Sequence, residues 1–436
     1  MADFARSAHP QVQAQLDRLS MLSPAGDRLG LERILQLLDR LGRPQDRLPP
    51  VFHVAGTNGK GSTVAFLRAA LEAAGRKVHA FTSPHLVRFN ERIRIAGRLI
   101  EDEALAALLT EVLDASDGIE PSFFEVAAAV ALLAFAREPA DACILEVGLG
   151  GRLDATNVVD RPAVTGIASL ALDHQHFLGR RLPAIAAEKA GIAKAGVPLV
   201  SLLYPPAIGS VIAQVARDKG ARWLPRGSAW DVSVRRSRLG YRDEFGTLDL
   251  PLPRLPGRYQ ATNAALAIAM LRHQTALVLP DEAFRDAMTS VEWPARMQKL
   301  SDGPLLRALP DGSELWVDGG HNPSAARAVA EFVQLRFDDD VPLVLVFASL
   351  GSKDPKGILA PFRGLAAQVL TVPIKDHDSR DPEDLAELAK AMGFRAQAYP
   401  GFAEALAAIA VPARVLVFGS LYLAGEVLAA NGEIPN

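Results

Sequence analysis

FHVAGTNGKGST, residues Phe52–Thr63, is the stretch from which the fold can be read. A β-branched and aromatic lead-in (Val51, Phe52, Val54) runs into a glycine-rich turn, and the turn runs into the helical pattern TVAFLRAALEAAG. Gly56, Gly59 and Gly61 let the backbone curl with its N–H groups pointing inward. The N-terminus of the following helix adds partial positive charge. Lys60 adds a full charge, and Ser62 and Thr63 add hydroxyls. Strand, loop and helix together make a phosphate cradle of the P-loop kind. The spacing departs from G-x-x-x-x-G-K-[ST]: Gly56 and Gly59 stand two residues too close, and Gly61 separates Lys60 from Ser62.

The rest of the chain extends this unit. After GLERILQLLDRLG, where Leu31, Ile34, Leu35 and Leu38 outline a helical apolar face, strands and helices alternate: VHAFTS, ACILEVGLGG, VTGIASLA and VPLVSLL as strands, with helices between. That alternation predicts a mostly parallel sheet flanked by helices. Residues 228–252 change to turn residues and antiparallel alternation, and WPARMQKLSDGP reads as a junction. LLRALPDGSELWVDG then suggests two strands turning at Asp311-Gly312. PLVLVFASL, QVLTVPI and ARVLVFGSL restart the alternation. The expectation is an α/β protein: an N-terminal P-loop ATPase-type domain over residues 1–297, and a smaller Rossmann-like α/β domain over 298–436.

Composition narrows the function classes. A chain of 436 residues, 49% hydrophobic and 22% charged, reads as a soluble two-domain protein. A net charge of −3 gives no general pull toward nucleic acid or anionic membrane. The single cysteine, Cys143, excludes an internal disulfide and a cysteine zinc site, and fits a reduced cytoplasm. The N-terminus MADFARSAHP lacks the apolar core of a signal peptide, and AAAVALLAFA is too short to span a bilayer.

A triphosphate in the loop calls for a divalent cation, and Mg²⁺ takes oxygen ligands while keeping several waters. Ser83, Glu146 and His174 all stand at carboxyl ends of strands, the edge where open α/β sheets bind ligands. Glu146 inside an apolar strand is costly unless a positive charge pairs with it. Ser122 and Glu125 have capping-box spacing. Lys189, in AEKAG, has the pattern of a solvated helix face. Asp318 and His321, in WVDGGHNP, mark a second polar strand end, and a cleft between two such domains would hold ATP and a further substrate. The residues therefore describe an ATP-using, Mg²⁺-dependent two-domain enzyme and leave its acceptor open. A P-loop switch or motor and a non-catalytic nucleotide-binding module are the readings from other classes.

Beyond this point the chain resembles a known family. AGTNGKGST, FTSPHL, SFFEVAA, LEVGLGGRLDATN, LDHQHFLG, EKAGIAK, ATNAALA, WPARMQ and VDGGHNP occur in the order found in folylpolyglutamate synthases. The likeness is to the bacterial bifunctional dihydrofolate synthase/folylpolyglutamate synthase type, relatives of the Mur ligases. It covers nearly the whole chain and is weakest at 228–252. The resemblance implies that Asn58, Gly59, Lys60, Gly61 and Ser62 bind ATP phosphates, with Asn263, Arg296, Asp318 and His321 as further ATP contacts. It implies two Mg²⁺ ions held by Ser83, Glu146 and His174, and a carbamate on Lys189. Lys60, Lys189, His174 and Arg296 would be the catalytic set. Asp27, Arg28, Leu29, Ser122, Phe123, Phe124, Glu125, Leu153, Asp154 and Ala155 would line the pterin-bearing substrate.

The implied activity is ATP-dependent addition of L-glutamate to dihydropteroate and to tetrahydrofolate by a cytoplasmic monomer. A monofunctional folylpolyglutamate synthase and a Mur-type peptide ligase are the alternatives within the superfamily.

Overall fold

A computed structural model describes residues 5–22, 29–337 and 340–436. The chain divides into two compact units, one made of Met1–Arg254, Gln260–Glu292 and Asn436, the other of Leu255–Tyr259 and Trp293–Pro435.

The first unit is built on an eight-stranded sheet. In chain order its strands are β1 (Val51–Ala55), β2 (Val78–Phe81), β3 (Ile93–Ile95), β4 (Arg98–Leu99), β5 (Ala142–Glu146), β6 (Val164–Ile167), β7 (Pro198–Ser201) and β8 (Arg222–Pro225). They lie side by side as β4-β3-β2-β5-β1-β6-β7-β8. β2 to β8 by way of β1 run parallel, and β3 and β4 add an antiparallel edge. β1 lies centrally because the chain builds first to one side of it and then crosses to the other. This reversal opens a crevice at the carboxyl ends of the strands.

Apolar strands explain the burial. Every residue of β1 and β5 is buried, as expected of parallel strands covered on both faces. One face is covered by helices Pro10–Met21, Glu32–Arg40, Asp102–Ala115 and Phe123–Arg137. Phe123–Arg137 is apolar all round because it is buried nearly all round, which accounts for the AAAVALLAFA run. Among the described residues, no helix is long and apolar enough to cross a membrane. Farther along the same face, Leu182–Ala190 and Pro206–Lys219 pack over Ala55, Val147 and Ile167. Residues 230–251 form the antiparallel strands β9 (Trp230–Arg235), β10 (Arg238–Asp243) and β11 (Gly246–Pro251).

The second unit carries a six-stranded sheet ordered β12-β13-β17-β14-β15-β16. These are Gln298–Lys299, Glu314–Val317, Leu343–Phe347, Ala366–Thr371, Ala396–Ala398 and Arg414–Phe418, numbered β12 to β17 along the chain. All pairs are parallel except β12–β13.

Three expectations change. The hairpin at 305–317 does not form: Pro304 opens a short helix, Pro304–Arg307, in which it occupies the first turn and needs no N–H partner. β13 therefore pairs with β12 instead. In Glu32–Arg40 the buried stripe is Ile34, Leu37 and Leu38, while Leu35 is exposed. β8, which has no apolar alternation to announce it, completes the large sheet.

Candidate functional site

Register brings the key residues of the first unit to one sheet edge. Val54 stands opposite Glu146 on one side and Gly166 on the other, while Phe81 stands opposite Leu145. The segments that leave β1, β2, β5 and β6 therefore emerge together. β1 delivers the phosphate loop, β2 delivers Ser83, and β5 ends on Glu146.

The loop is held from both sides. Thr57 and Asn58 donate backbone N–H groups to the Ser169 carbonyl at 2.7 and 3.1 Å, tying the loop to the segment after β6. Gly59 lies in the left-handed region at φ 84°, directly before the helix Lys60–Ala73. A Cβ there would come within 2.5 Å of Asn263 Oδ1, so glycine allows the Asn263 amide to lie against the loop. Asn263 Nδ2 is steadied by Gln260 Oε1 at 3.0 Å. Thr63 donates its hydroxyl back to the Gly59 carbonyl at 2.9 Å, so this hydroxyl secures the helix start. Ser62 is buried beside it.

Lys60 Nζ lies 3.9 Å from Glu146 Oε1. Glu146 is 4% exposed, and the lysine is the positive partner that its position in an apolar strand demands.

Lys189 departs from expectation. It is 4% exposed, and its Nζ donates to the Gly56 carbonyl at 2.9 Å. The 148–156 loop covers its helix, with Arg152 N donating to the Glu188 carbonyl at 2.8 Å. Burial, reinforced by repulsion from Lys60 and opposed by Asp173 and Asp154, lowers the Lys189 amine to about 7. Near neutral pH a large fraction of this amine is therefore uncharged.

His174 begins the short helix Gln175–Leu178 in the left-handed conformation, φ 49°. The buried Asp173 accepts its N–H at 2.8 Å, and the imidazole is half-buried. Ser83, also half-buried, precedes Pro84 through a cis peptide. Among the described residues no three His, Cys, Asp or Glu side chains form a metal-holding cluster. The donors on this edge are instead one carboxylate at the end of β5, one hydroxyl in the segment after β2 and one imidazole in the segment after β6. This set suits a cation that takes its remaining ligands from phosphate and water.

The expected pterin-side residues have clear local duties. The capping box is present: Ser122 Oγ accepts from Glu125 N at 3.3 Å, and Glu125 Oε2 accepts from Ser122 N at 2.6 Å. Glu125 also accepts from Arg33 Nε at 3.1 Å. Arg33 carries no sequence signal, since its partner lies far along the chain. Phe123 packs edge-on to Phe89, and Phe124 packs on Phe81. A Cβ on Gly148 would lie 2.4 Å from Phe124, so glycine brings the 148–156 loop against that ring.

Asp154 folds its carboxylate inward. It accepts from Leu149 N at 2.8 Å, from Thr156 N at 3.0 Å and from the Thr156 hydroxyl at 2.5 Å. Thr156 Oγ1 in turn lies 2.8 Å from His53 Nε2. Burial holds the His53 imidazole neutral, down to about 3, and raises the Asp154 carboxyl against those hydrogen bonds. Ala155 is buried and Leu153 half-buried beside it. Leu29 is half-buried, and Asp27 and Arg28 lie outside the described residues.

In the second unit, Asp318 follows β13 and is buried. Its oxygens accept from Met297 N at 2.9 Å and Gly320 N at 2.7 Å. Burial raises its pKa, and the Arg296 charge opposes that rise most strongly. Arg296 reaches the Ala295 carbonyl at 2.8 Å. His321 Nδ1 lies 3.0 Å from the Gly319 carbonyl.

Comparison with known proteins identifies the family. Residues 296–421 match the Mur ligase, glutamate ligase domain. The chain is 37% identical to the dihydrofolate synthase/folylpolyglutamate synthase of Escherichia coli K12 over 92% of its own length and 90% of the relative's. It belongs to that family. Solved folylpolyglutamate synthase structures share the fold. The Escherichia coli FolC in complex with DHPP and ADP is 35% identical, with a TM-score of 0.84 over 95% of this chain and 97% of that one. The bifunctional Yersinia pestis enzyme complexed with AMPPNP and Mn ion is 33% identical, with a TM-score of 0.85 over 96% and 97%. Gly61, the glycine after Lys60, sits inside the first helical turn and is buried.

Proposed function

We propose that the protein is an ATP-dependent ligase that joins L-glutamate to dihydropteroate, giving dihydrofolate, and to the glutamate tail of tetrahydrofolate. The observation that carries this reading is the pairing of Lys60, at the head of the phosphate-loop helix, with the buried Glu146 at the end of the neighbouring strand. It occurs in a chain that matches bifunctional relatives along nearly all of its length. We take residues 1–297 as the ATP-binding domain and 298–436 as the C-terminal domain, in a monomer working in the cytoplasm.

In this reading the acceptor's carboxylate attacks the γ-phosphorus of ATP, forming an acyl phosphate and releasing ADP. The amine of L-glutamate then attacks the acyl carbon, and the tetrahedral adduct collapses to an amide and phosphate. Activation is required because a carboxylate is a poor electrophile, and phosphate supplies the leaving group. Asn58, Gly59, Lys60, Gly61 and Ser62 hold the phosphates, and Lys60 and Arg296 stabilise charge on the phosphoryl group in transit. Asn263, Asp318 and His321 serve the rest of the nucleotide. The buried Glu146 carboxylate, with Ser83 and His174, fits Mg²⁺ at two sites, and when bound Mg²⁺ neutralises phosphate charge. Lys189 bears a carbamate, for which an uncharged amine is the chemical prerequisite. Leu29, Ser122–Glu125 and Leu153–Ala155 line the pterin side, with Asp27 and Arg28.

The test is product formation by the purified protein with ATP, Mg²⁺ and L-glutamate, given dihydropteroate or tetrahydrofolate in parallel. Amide product is expected from both acceptors. ATP turnover indifferent to acceptor and L-glutamate would overturn the ligase reading, and product from one acceptor alone would reduce it to a monofunctional enzyme.

A further inference from the structure

Arg296 sits between two residues in a conformation that L side chains avoid. Ala295 has φ 53° and Met297 has φ 43°. Strained residues persist only where their surroundings over-determine them, and such sites cluster where geometry serves function. Here three bonds clamp the turn. The Ala295 carbonyl accepts from Gly319 N at 3.0 Å, and Met297 N donates to Asp318 Oδ2 at 2.9 Å. The third is made by a side chain: Gln298 Oε1 accepts from Ala295 N at 3.0 Å.

The orientation of Gln298 is itself determined. Its Nε2 donates to Glu433 Oε2 at 2.9 Å. Ala295 N–H can only donate and the Glu433 carboxylate can only accept, so the amide fits one way round. Glu433 is anchored in turn, because its Oε1 accepts from Ser301 N, Ser301 Oγ and Asn431 Nδ2, each at 2.9 Å. The backbone of Gln298 is fixed in β12, opposite Val317 and hence beside Asp318. A polar brace therefore runs from Glu433 through Gln298 to the turn that presents Arg296.

We propose that Gln298, oriented by Glu433, is the positioning residue for Arg296, holding the guanidinium where it meets the nucleotide's phosphates. The proposal rests on the reading of Arg296 given above. It places a control of phosphoryl transfer in two residues that touch neither ATP nor acceptor.

A reciprocal swap tests it. Gln298→Glu sets a carboxylate against the Glu433 carboxylate. Glu433→Gln directs an amide N–H₂ at Gln298 Nε2 or at the Ser301 and Asn431 donors. The double variant restores one donor and one acceptor. The carboxylate introduced by Gln298→Glu accepts from Ala295 N through one oxygen, and its other oxygen accepts from the amide introduced by Glu433→Gln. Steady-state ligation is measured with varied ATP. Each single variant is expected to lose roughly ten- to a hundredfold in kcat/KM for ATP, the scale of a misplaced catalytic group. The double variant should recover to within about threefold of the starting protein. On an Arg296→Ala background, Gln298→Glu should add no further loss. Full kcat/KM in Gln298→Glu, no recovery in the double variant, or losses that add on Arg296→Ala would overturn the proposal. Should Gln298→Glu fail to fold, Glu433→Gln and the double variant decide it. An active Arg296→Ala refutes the reading of Arg296 and the proposal with it, whereas an impaired Arg296→Ala beside an unimpaired Gln298→Glu refutes the positioning role alone.

Discussion

Lys189→Met should make the ligand-free protein more stable while destroying its activity. The side chain keeps its length and loses its charge. Moving the amine from the ordinary 10.5 to about 7 means that folding opposes the ammonium form. At about 1.4 kcal/mol per pKa unit, the penalty at pH 7 is of the order of 4–5 kcal/mol. Methionine removes that penalty but gives up the hydrogen bond to the Gly56 carbonyl and leaves that oxygen without Nζ. This costs about 1–3 kcal/mol. The expected net gain is therefore about 2 kcal/mol near neutrality.

The pH dependence makes the argument specific. The folded pKa is depressed, so between about pH 7 and pH 10.5 the unfolded chain binds more protons than the folded one at this site. The wild-type contribution to stability therefore rises with pH across that window, and is flat at its full penalty below it. Lys189→Met has no such slope. Denaturant unfolding in bicarbonate-depleted buffer should show the variant ahead near pH 7, the gap closing by about pH 9, and the wild type ahead beyond it. A gap that stays constant with pH, or a variant less stable at pH 7, would refute the reasoning. Ligation should be lost in the variant at every pH.

Other substitutions test the edge piece by piece. Gly59→Ala forces a Cβ into the left-handed region and against Asn263 Oδ1. It should cost about 1–2 kcal/mol of stability and weaken ATP binding more than tenfold, as read by calorimetric titration. Glu125→Ala removes both the capping box and the Arg33 pair, so denaturant unfolding should show a loss of about 3 kcal/mol. Glu146→Gln should move the Mg²⁺ dependence of ligation to concentrations at least about tenfold higher, with a folded protein by circular dichroism.

Local chemistry was legible in the sequence, and long-range burial was not. GTNGKGS could be read because strand, turn, lysine and helix are consecutive, so spacing alone defines their geometry. Glu146 could be read because a carboxylate in an apolar strand demands a cation, and Lys60 lies 3.9 Å away. The Ser122–Glu125 cap is local and matched its spacing. Lys189 misled because AEKAG has no feature that tells a solvated face from a covered one. The cover comes from Arg152 and its neighbours, a loop more than thirty residues earlier whose backbone donates to Glu188. β12 is two residues long and carries no period, so the sequence around Asp311-Gly312 suggests a hairpin that Pro304 prevents. Arg33 meets Glu125 and Gln298 meets Glu433, partners distant along the chain that no spacing rule reaches.

The charges at the phosphate loop bear on the proposed carbamate at Lys189. Lys60 repels an ammonium at this site, and burial adds to the repulsion. The proposed carbamate meets a different balance: burial still disfavours the charge, Asp173 and Asp154 now repel it, and Lys60 attracts it. The Nζ of a carbamate keeps one N–H, so the 2.9 Å bond to the Gly56 carbonyl can survive while two new oxygens project from the nitrogen. Loop shape would be preserved and local charge reversed. A protonated lysine satisfies the first condition and worsens the electrostatics. A glutamate at position 189 would supply the oxygens and lose the donor that fixes Gly56. In the proposed carbamate reading, the hydrogen bond to the loop would account for a lysine at this position, and the lowered pKa would leave its amine free to take up carbon dioxide.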